Sequence, residues 1–239
     1  MGVADVVPAL LPARIPVRGD DAFFPVHRVY CVGRNFADHA REMGAEVPAT
    51  RGTPVFFLKP ADAVVTDGVV PFPPGTHELH HEVELVVALG RDAPPGLLSP
   101  EQAQALVFGY GVGLDLTRRD LQAAAKAKGL PWDTGKAFDC SAPVSWIVPV
   151  SEVGALDGRR LSLTVNRELR QSGSLSDLIW NVPDILRELS ALYALRAGDL
   201  VFMGTPAGVG PLRVGDSFVA SLDGVTELHG RIAPAGATG

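Results

Sequence analysis

Short apolar segments bounded by turn residues recur along the whole chain. Seven of them are rich in valine, leucine and phenylalanine and are typical of β-strands: Val26–Val32, Val55–Lys59, Glu82–Leu89, Phe108–Asp115, Leu161–Val165, Leu200–Met203 and Ser217–Ser221. The 26 glycines and 20 prolines are spread throughout the sequence, which favours many turns over a helical bundle. The pattern therefore predicts a β-rich α+β fold with a few short peripheral helices.

Helical periodicity is confined to a few segments. It is clearest over residues 182–195, where one face carries Val182, Ile185, Leu186, Leu189, Leu192 and Tyr193. A second helix is predicted over residues 116–128, because Gly129 and Pro131 would end it, and a short third over residues 35–43. Since strands do not alternate regularly with helices, a doubly wound parallel sheet is not expected.

The length of 239 residues, 46% of them hydrophobic, predicts one domain whose core needs no disulfide. We expect this domain over residues 27–232, after a short extended lead-in over 1–26 and before a flexible tail over 233–239. The two cysteines form no CxxC motif, which favours a cytoplasmic protein. A net charge of −6 without a basic cluster excludes a nucleic-acid surface. No segment approaches the ~20 apolar residues that span a bilayer.

Two glutamates in an apolar strand are the most informative polar residues. Glu82 and Glu84 lie two positions apart, so both carboxylates project from one face of the predicted strand. Two adjacent negative charges repel each other, and a divalent cation would relieve this repulsion. Carboxylate oxygens select Mg²⁺, Ca²⁺ or Mn²⁺. The alternative is a solvent-facing strand edge, which the neighbouring valines and leucines disfavour.

Asp115 is a candidate third ligand at a predicted strand-to-helix corner. Taken alone, it is better explained as the N-cap of the following helix. On that helix Arg119 and Gln122 are three residues apart and share a face, so they could bind a small carboxylate or keto acid. They could also be ordinary surface residues.

A second group of polar residues lies in the predicted helix 35–43. His39 and Glu42 are spaced i, i+3, so the carboxylate can contact the imidazole and increase its basicity. Such a pair can activate a water molecule. The alternative is an incidental pair on an exposed helix.

Three further features could contribute to a site. Lys136 lies in a loop after Gly135, where its ammonium could stabilise negative charge on oxygen. Thr205 lies in a glycine-rich turn that lacks the signature of a phosphate loop and could bind a carboxylate. A zinc site built on His77, His80 and His81 is not supported, because no cysteine or suitably spaced histidine completes it.

The order of these motifs is more specific than any one of them. The chain reads, in sequence, VGRNFADHAREM, FLKPADA, HHEVEL, GLDLTRRDLQ, KGLPW, GKAFD and GDLVFMGTPAGVG. In this order the motifs closely resemble the fumarylacetoacetate hydrolase family, from about residue 28 to residue 216. The likeness is greatest to the short branch of the family that cleaves acylpyruvates.

This resemblance implies a fold and a set of roles. The fold is the roll of the family, a mixed β-sandwich with short peripheral helices, in a homodimer with one Mg²⁺ or Mn²⁺ site per subunit. The implied metal ligands are Glu82, Glu84 and Asp115. The implied catalytic residues are His39 and Glu42, which activate water, and Lys136, which stabilises the oxyanion. The implied substrate contacts are Arg119, Gln122, Thr205 and Lys59.

The implied activity is hydrolysis of the C3–C4 bond of an acylpyruvate, a 2,4-dioxo acid. Fumarylpyruvate is the expected substrate, with fumarate and pyruvate as products. Oxaloacetate decarboxylation is a close alternative, although a general base such as His39 favours hydrolysis. Isomerases or hydratases of 2-oxo acids are more distant alternatives within the superfamily. A non-catalytic module that binds a keto acid is the alternative from another class.

Overall fold

A computed structural model describes residues 6–8, 11–37 and 52–236 of the chain. The strands are β1 (Arg14–Pro16), β2 (Phe23–Pro25), β3 (Val29–Gly33), β4 (Val55–Lys59), β5 (Val64–Val65), β6 (Val69–Pro71), β7 (Leu79–His81), β8 (Val83–Leu89), β9 (Val107–Leu114), β10 (Thr117–Arg118), β11 (Ala142–Pro143), β12 (Val148–Pro149), β13 (Arg160–Val165), β14 (Glu168–Ser174), β15 (Leu200–Phe202), β16 (Gly210–Leu212), β17 (Ser217–Leu222) and β18 (Thr226–Ala233).

The helices of the described residues are short and connect or flank the strands. They are α1 (Pro100–Leu106), α2 (Arg119–Ala127), α3 (Asp133–Lys136), α4 (Val150–Val153) and α5 (Val182–Ser190), with two 3-10 turns at Ala61–Ala63 and Leu175–Asp177. The predicted β-rich α+β fold is therefore confirmed. No helix in the described part of the chain is long and apolar enough to cross a membrane.

A six-stranded sheet in the order β12-β9-β8-β15-β3-β4 forms the centre of the fold. Its middle strand β8 is buried along its whole length, because apolar side chains cover both faces of the sheet. Leu85 and Val87 point into the larger hydrophobic core, whereas Val86 and Ala88 point into a smaller one. Glu84 is the only charged residue in this strand, so the fold places a carboxylate inside the protein.

A five-stranded sheet in the order β14-β13-β17-β18-β6 closes the larger core. Helix α5 packs against the same core through Val182, Ile185, Leu186 and Leu189. The helix begins where the Asn181 side chain accepts a hydrogen bond of 2.9 Å from the Asp184 N–H group. It ends at Ser190, earlier than the predicted residue 195, and Leu192 beyond its end is exposed.

Because of strand pairing, helix α2 starts later than predicted. The predicted helix 116–128 begins only at Arg119, because Thr117 and Arg118 form β10 and pair with His80 and Leu79 of β7. A three-stranded sheet in the order β10-β7-β16 results. This sheet lies beside the strands that carry the candidate ligands, so it links them to the turn that contains Thr205.

Strand pairing extends into both of the predicted terminal segments. In the predicted lead-in, β1 and β2 form an antiparallel ribbon, and Ile15 and Phe24 are buried in the smaller core. At the other end Ala233 belongs to β18 and is buried, so the tail predicted from residue 233 begins no earlier than residue 234.

Candidate active site

Three carboxylates from two neighbouring strands meet inside the protein. Glu82 lies between β7 and β8, Glu84 within β8, and Asp115 directly after β9. The pairing of β8 with β9 sets Glu84 opposite Gly113, and the Asp115 N–H group donates to the Glu82 carbonyl oxygen at 2.9 Å. One ligand atom from each carboxylate lies within 4.8 Å of the other two, and all three residues are buried. The N-cap alternative for Asp115 is excluded, because Arg118 occupies that position of α2.

The glycine-rich turn after β15 holds one of these carboxylates in place. The Gly204 N–H group donates to Glu84 Oε2 at 2.7 Å. Gly204 has a φ angle of 92°, and a Cβ atom there would lie 2.8 Å from the Cβ of Asn35. Only glycine fits this combination of backbone conformation and close approach.

Three cationic side chains balance the three carboxylates. The Lys136 Nζ atom lies 2.8 Å from Glu82 Oε2 and 2.5 Å from Asp115 Oδ2. The Arg119 guanidinium donates to Glu82 Oε1 at 2.5 Å, and Lys59 Nζ lies 2.9 Å from Asp115 Oδ1. With Glu84 ionised these formal charges sum to zero, so a bound divalent cation would give the cluster a positive charge that an anionic ligand can balance.

The position of Lys59 differs from the role that the resemblance implies. Its side chain is completely buried and does not line the cavity. Instead, its ammonium group lies behind Asp115 and donates to the carbonyl oxygens of Leu116 and Lys136, at 3.0 and 2.5 Å. The predicted substrate contact is thus a buried support of the carboxylate cluster.

The geometry of the cluster fits a divalent metal ion. Asp115 Oδ1 is buried and, apart from its ion pair with Lys59, has no hydrogen-bond partner among the described residues. The Lys136 ammonium already bridges two of the carboxylates, which shows that the cluster stabilises a cation. Hard oxygen donors without nitrogen or sulfur favour Mg²⁺, Mn²⁺ or Ca²⁺. The three carboxylates could therefore hold such an ion.

Burial changes the acidity of the central carboxylate. Desolvation raises the pKa of Glu84 well above its ordinary value, and the neighbouring Asp115 and Glu82 raise it further. Burial by itself would lower the pKa of Lys136, but the two carboxylates beside it raise that pKa instead. Lys136 is therefore a permanent cation, whereas Glu84 binds a proton readily.

This raised pKa predicts that metal binding is coupled to proton release. Below the pKa of Glu84 an incoming ion must displace its proton, so Mn²⁺ affinity should fall about tenfold per pH unit as the pH decreases. Titration calorimetry at a series of pH values, in buffers of different ionisation enthalpy, measures both the affinity and the protons released. A Glu84→Gln variant should release none of these protons. A wild-type Mn²⁺ affinity that does not change with pH would contradict the expected coupling to Glu84.

A small cavity opens beside the carboxylates. The predicted contacts Arg119, Gln122 and Thr205 line it together with Lys136. The Arg119 guanidinium donates to Gln122 Oε1 at 2.6 Å, as the shared helix face predicts. The structure thus brings seven of the ten predicted site residues to one cavity: Glu82, Glu84, Asp115, Arg119, Gln122, Lys136 and Thr205. His39 and Glu42 lie outside the described residues.

Gln171 of β14 connects the strand that bears Glu82 and Glu84 to the turn that contains Thr205, and the sequence did not predict it. Its Oε1 atom accepts from the Val83 N–H group at 3.1 Å and lies 2.8 Å from His81 Nδ1. Its Nε2 group donates to Thr205 Oγ1 and to the Pro206 carbonyl oxygen, both at 2.8 Å. Gln171 therefore fixes the ligand-bearing strand relative to the Thr205 turn. His81 contributes to this arrangement through its contact with Gln171. No local sequence signal marks a contact across such a distance along the chain.

The cavity is also lined by residues outside the predicted set, which are Val32, Gly33, Arg34, Phe57, Lys126 and Trp132. A signal for Lys126 was present, because it lies seven positions after Arg119 and four after Gln122, on the same helix face. His80 is neutral near pH 7 and only a weak base, since burial and the nearby Arg119 lower its pKa to about 4. Among the described residues, no histidine belongs to a group of three possible metal ligands.

Comparison with known proteins places this fold and site in one family. The family profile described as "Fumarylacetoacetate (FAA) hydrolase C-terminal" matches residues 28–233. The chain is 41% identical over 209 residues to the mitochondrial oxaloacetate tautomerase FAHD2 of Oryza sativa subsp. japonica, covering 84% of this chain and 89% of that one. It is 41% identical over 195 residues to the fumarylpyruvate hydrolase of Ralstonia sp, covering 81% and 100%.

A solved structure shows the same architecture. The crystal structure of fumarylpyruvate hydrolase from Pseudomonas aeruginosa, in complex with Mn²⁺ and pyruvate, has a TM-score of 0.91 and 43% sequence identity. The match covers 97% of this chain and 100% of that chain. Motif order, family profile, relatives and architecture agree, and the chain belongs to the fumarylacetoacetate hydrolase family.

Proposed function

We propose that the protein is a metal-dependent hydrolase of acylpyruvates, with fumarylpyruvate as its expected substrate. The observation that carries this proposal is the cavity itself, where three buried carboxylates lie beside a buried lysine and the donors Arg119 and Thr205. The names of the Ralstonia and Pseudomonas relatives support the same activity.

The proposed cofactor is Mg²⁺ or Mn²⁺, held by Glu82, Glu84 and Asp115. When bound, the ion would hold the 1-carboxylate and 2-oxo oxygens of the substrate and stabilise negative charge that develops there. The Mn²⁺ and pyruvate in the Pseudomonas structure support this assignment. A net-neutral cluster of three anions and three cations becomes positive with the ion, which favours an anionic substrate.

The side chains of the protein supply the remaining steps. Arg119, Gln122 and Thr205 bind and orient the keto acid. His39, held by Glu42, takes a proton from water, which adds to the C4 carbonyl carbon, and Lys136 stabilises the resulting oxyanion. The C3–C4 bond then breaks, its electron pair passes to the pyruvate half as an enolate, and protonation at C3 gives pyruvate. The other product is the acid of the acyl group, which is fumarate for fumarylpyruvate.

Oxaloacetate tautomerisation is the second candidate, because a relative with 41% identity has that name. It requires only that a proton moves between C3 and the 2-oxo oxygen, without attack by water. Hydrolysis differs from it in the need for a base that activates water, which is the proposed role of His39. Decarboxylation of oxaloacetate would use the same keto-acid contacts and would likewise need no such base.

Three further expectations from the sequence stay predictions. They are a homodimer as the assembly, the cytoplasm as the location and residues 27–232 as the catalytic domain.

A side-by-side rate comparison tests the proposal. Purified protein with Mg²⁺ or Mn²⁺ is expected to convert fumarylpyruvate to equal amounts of fumarate and pyruvate, and EDTA should abolish turnover until the metal is restored. The same preparation is assayed on acetylpyruvate, fumarylacetoacetate and oxaloacetate. Rapid enolisation of oxaloacetate without cleavage of any acylpyruvate would support the second candidate. Unchanged turnover after complete metal removal would contradict the metal assignment.

A further inference from the structure

An aromatic wall connects the carboxylate cluster to the outer part of the cavity. The rings of Phe57 and Trp132 lie with their centroids 5.9 Å apart. Lys136 Nζ lies 5.0 Å from the centroid of the Phe57 ring, at the inner end of this wall. Lys126 Nζ lies 4.9 Å from the centroid of the Trp132 ring, at its outer end. The two lysines thus mark opposite ends of one apolar surface that lines the cavity.

The cationic side chains at the outer end of the aromatic wall have no carboxylate partner in the described part of the chain. Lys136 and Arg119 form ion pairs with the carboxylates of the cluster. Lys126 and Arg34 also line the cavity, but neither forms an ion pair with a described residue. Lys126 is only partly exposed, and burial followed by the proximity of Arg119 and Arg34 lowers its pKa. A half-buried cation beside other cations is stabilised by an anion.

The backbone fixes Arg34 at this rim. Arg34 has a φ angle of 62°, a conformation that costs a non-glycine residue about 1 kcal/mol. The next residue, Asn35, holds the segment through its side chain, which donates to the carbonyl oxygen of Met203 at 2.7 Å and accepts from the Trp180 N–H group at 2.8 Å. Arg34 is therefore presented at the cavity by a rigid and strained turn.

We propose that Lys126 and Arg34 bind a second carboxylate, at the end of the substrate remote from the 2-oxo acid group. This inference rests on the proposed function, because it assigns the acyl end of the same substrate. Between the two anionic ends, a flat conjugated acyl group would lie against Phe57 and Trp132. The site would then select 2,4-dioxo acids that carry a terminal carboxylate, such as fumarylpyruvate, over those that end in a methyl group, such as acetylpyruvate.

A charge-removing substitution tests this assignment with two substrates. Lys126→Met is expected to lower kcat/KM for fumarylpyruvate about 10- to 30-fold and to change kcat/KM for acetylpyruvate less than about twofold. Arg34→Met should produce a smaller loss in the same direction, because Arg34 is exposed. Lys128→Met, an exposed position at the end of the same helix, is the matched control and should leave both values unchanged.

The ratio of the two kcat/KM values separates the possible outcomes. Equal losses on both substrates, or no loss on fumarylpyruvate, would overturn the inference while leaving the proposed hydrolysis intact. If the wild-type protein cleaves neither compound, the proposed function is wrong, and both compounds then stay intact for titration calorimetry. Tighter binding of fumarylpyruvate that Lys126→Met abolishes would still support the second carboxylate site, and equal binding of both compounds would overturn it.

Discussion

A Lys136→Met variant is expected to turn over an acylpyruvate about 100 to 1,000 times more slowly than the wild-type protein. Methionine retains most of the length and apolar volume of lysine but removes the ammonium group. That group is buried at the cavity wall, where its electrostatic effect on a developing oxyanion is large. The measurement is kcat on fumarylpyruvate at saturating Mg²⁺ or Mn²⁺.

Metal affinity distinguishes a catalytic role of Lys136 from a structural one. The substitution frees Glu82 Oε2 and Asp115 Oδ2 from their ion pairs, so the affinity for Mn²⁺ should be equal to that of the wild-type protein or higher. Lys128→Met again serves as the control for loss of a lysine. Loss of both metal binding and turnover would show that Lys136 mainly holds the carboxylates in position. Full turnover would contradict its role in oxyanion stabilisation.

The parts of the fold that sequence predicts well are those fixed by local pattern. Strand Val55–Lys59 has the predicted bounds, because its apolar run ends at turn residues on both sides. The apolar run around Glu84 likewise predicts a buried strand with a carboxylate inside it. The spacing of Glu82 and Glu84 limits the ligands that the pair could bind to divalent cations that prefer oxygen. The order of the motifs then identifies the family.

The remaining features depend on contacts between distant segments. Helix α2 starts at Arg119 rather than at residue 116, because the two preceding residues pair with β7, and periodicity contains no information about that pairing. Gln171 reaches the site from the second sheet. Lys59 lies behind Asp115 only because β3 brings β4 to the edge of the central sheet. In each case contacts between segments far apart in the sequence determined the position of the helix start or side chain.

Lys59→Met is expected to lower the free energy of unfolding by about 3–5 kcal/mol, because it removes one partner of a buried ion pair. The Lys59 ammonium lies 2.9 Å from Asp115 Oδ1 and is completely buried. Its loss also leaves the carbonyl oxygens of Leu116 and Lys136 without their lysine donor. Urea unfolding of the metal-free protein measures the effect, with the exposed Lys128→Met as the control.

A double substitution shows whether this loss arises from charge or from packing. If the loss of one of the two ion pairs of Asp115 causes most of the instability, adding Asp115→Asn to Lys59→Met should restore about 1–2 kcal/mol, because the buried charge that Lys59 helped to balance is then absent. If the aliphatic part of Lys59 contributed mainly through packing, the two losses would simply add. Additive losses, or a Lys59→Met variant as stable as the wild-type protein, would contradict the view that Lys59 supports the cluster by neutralising Asp115.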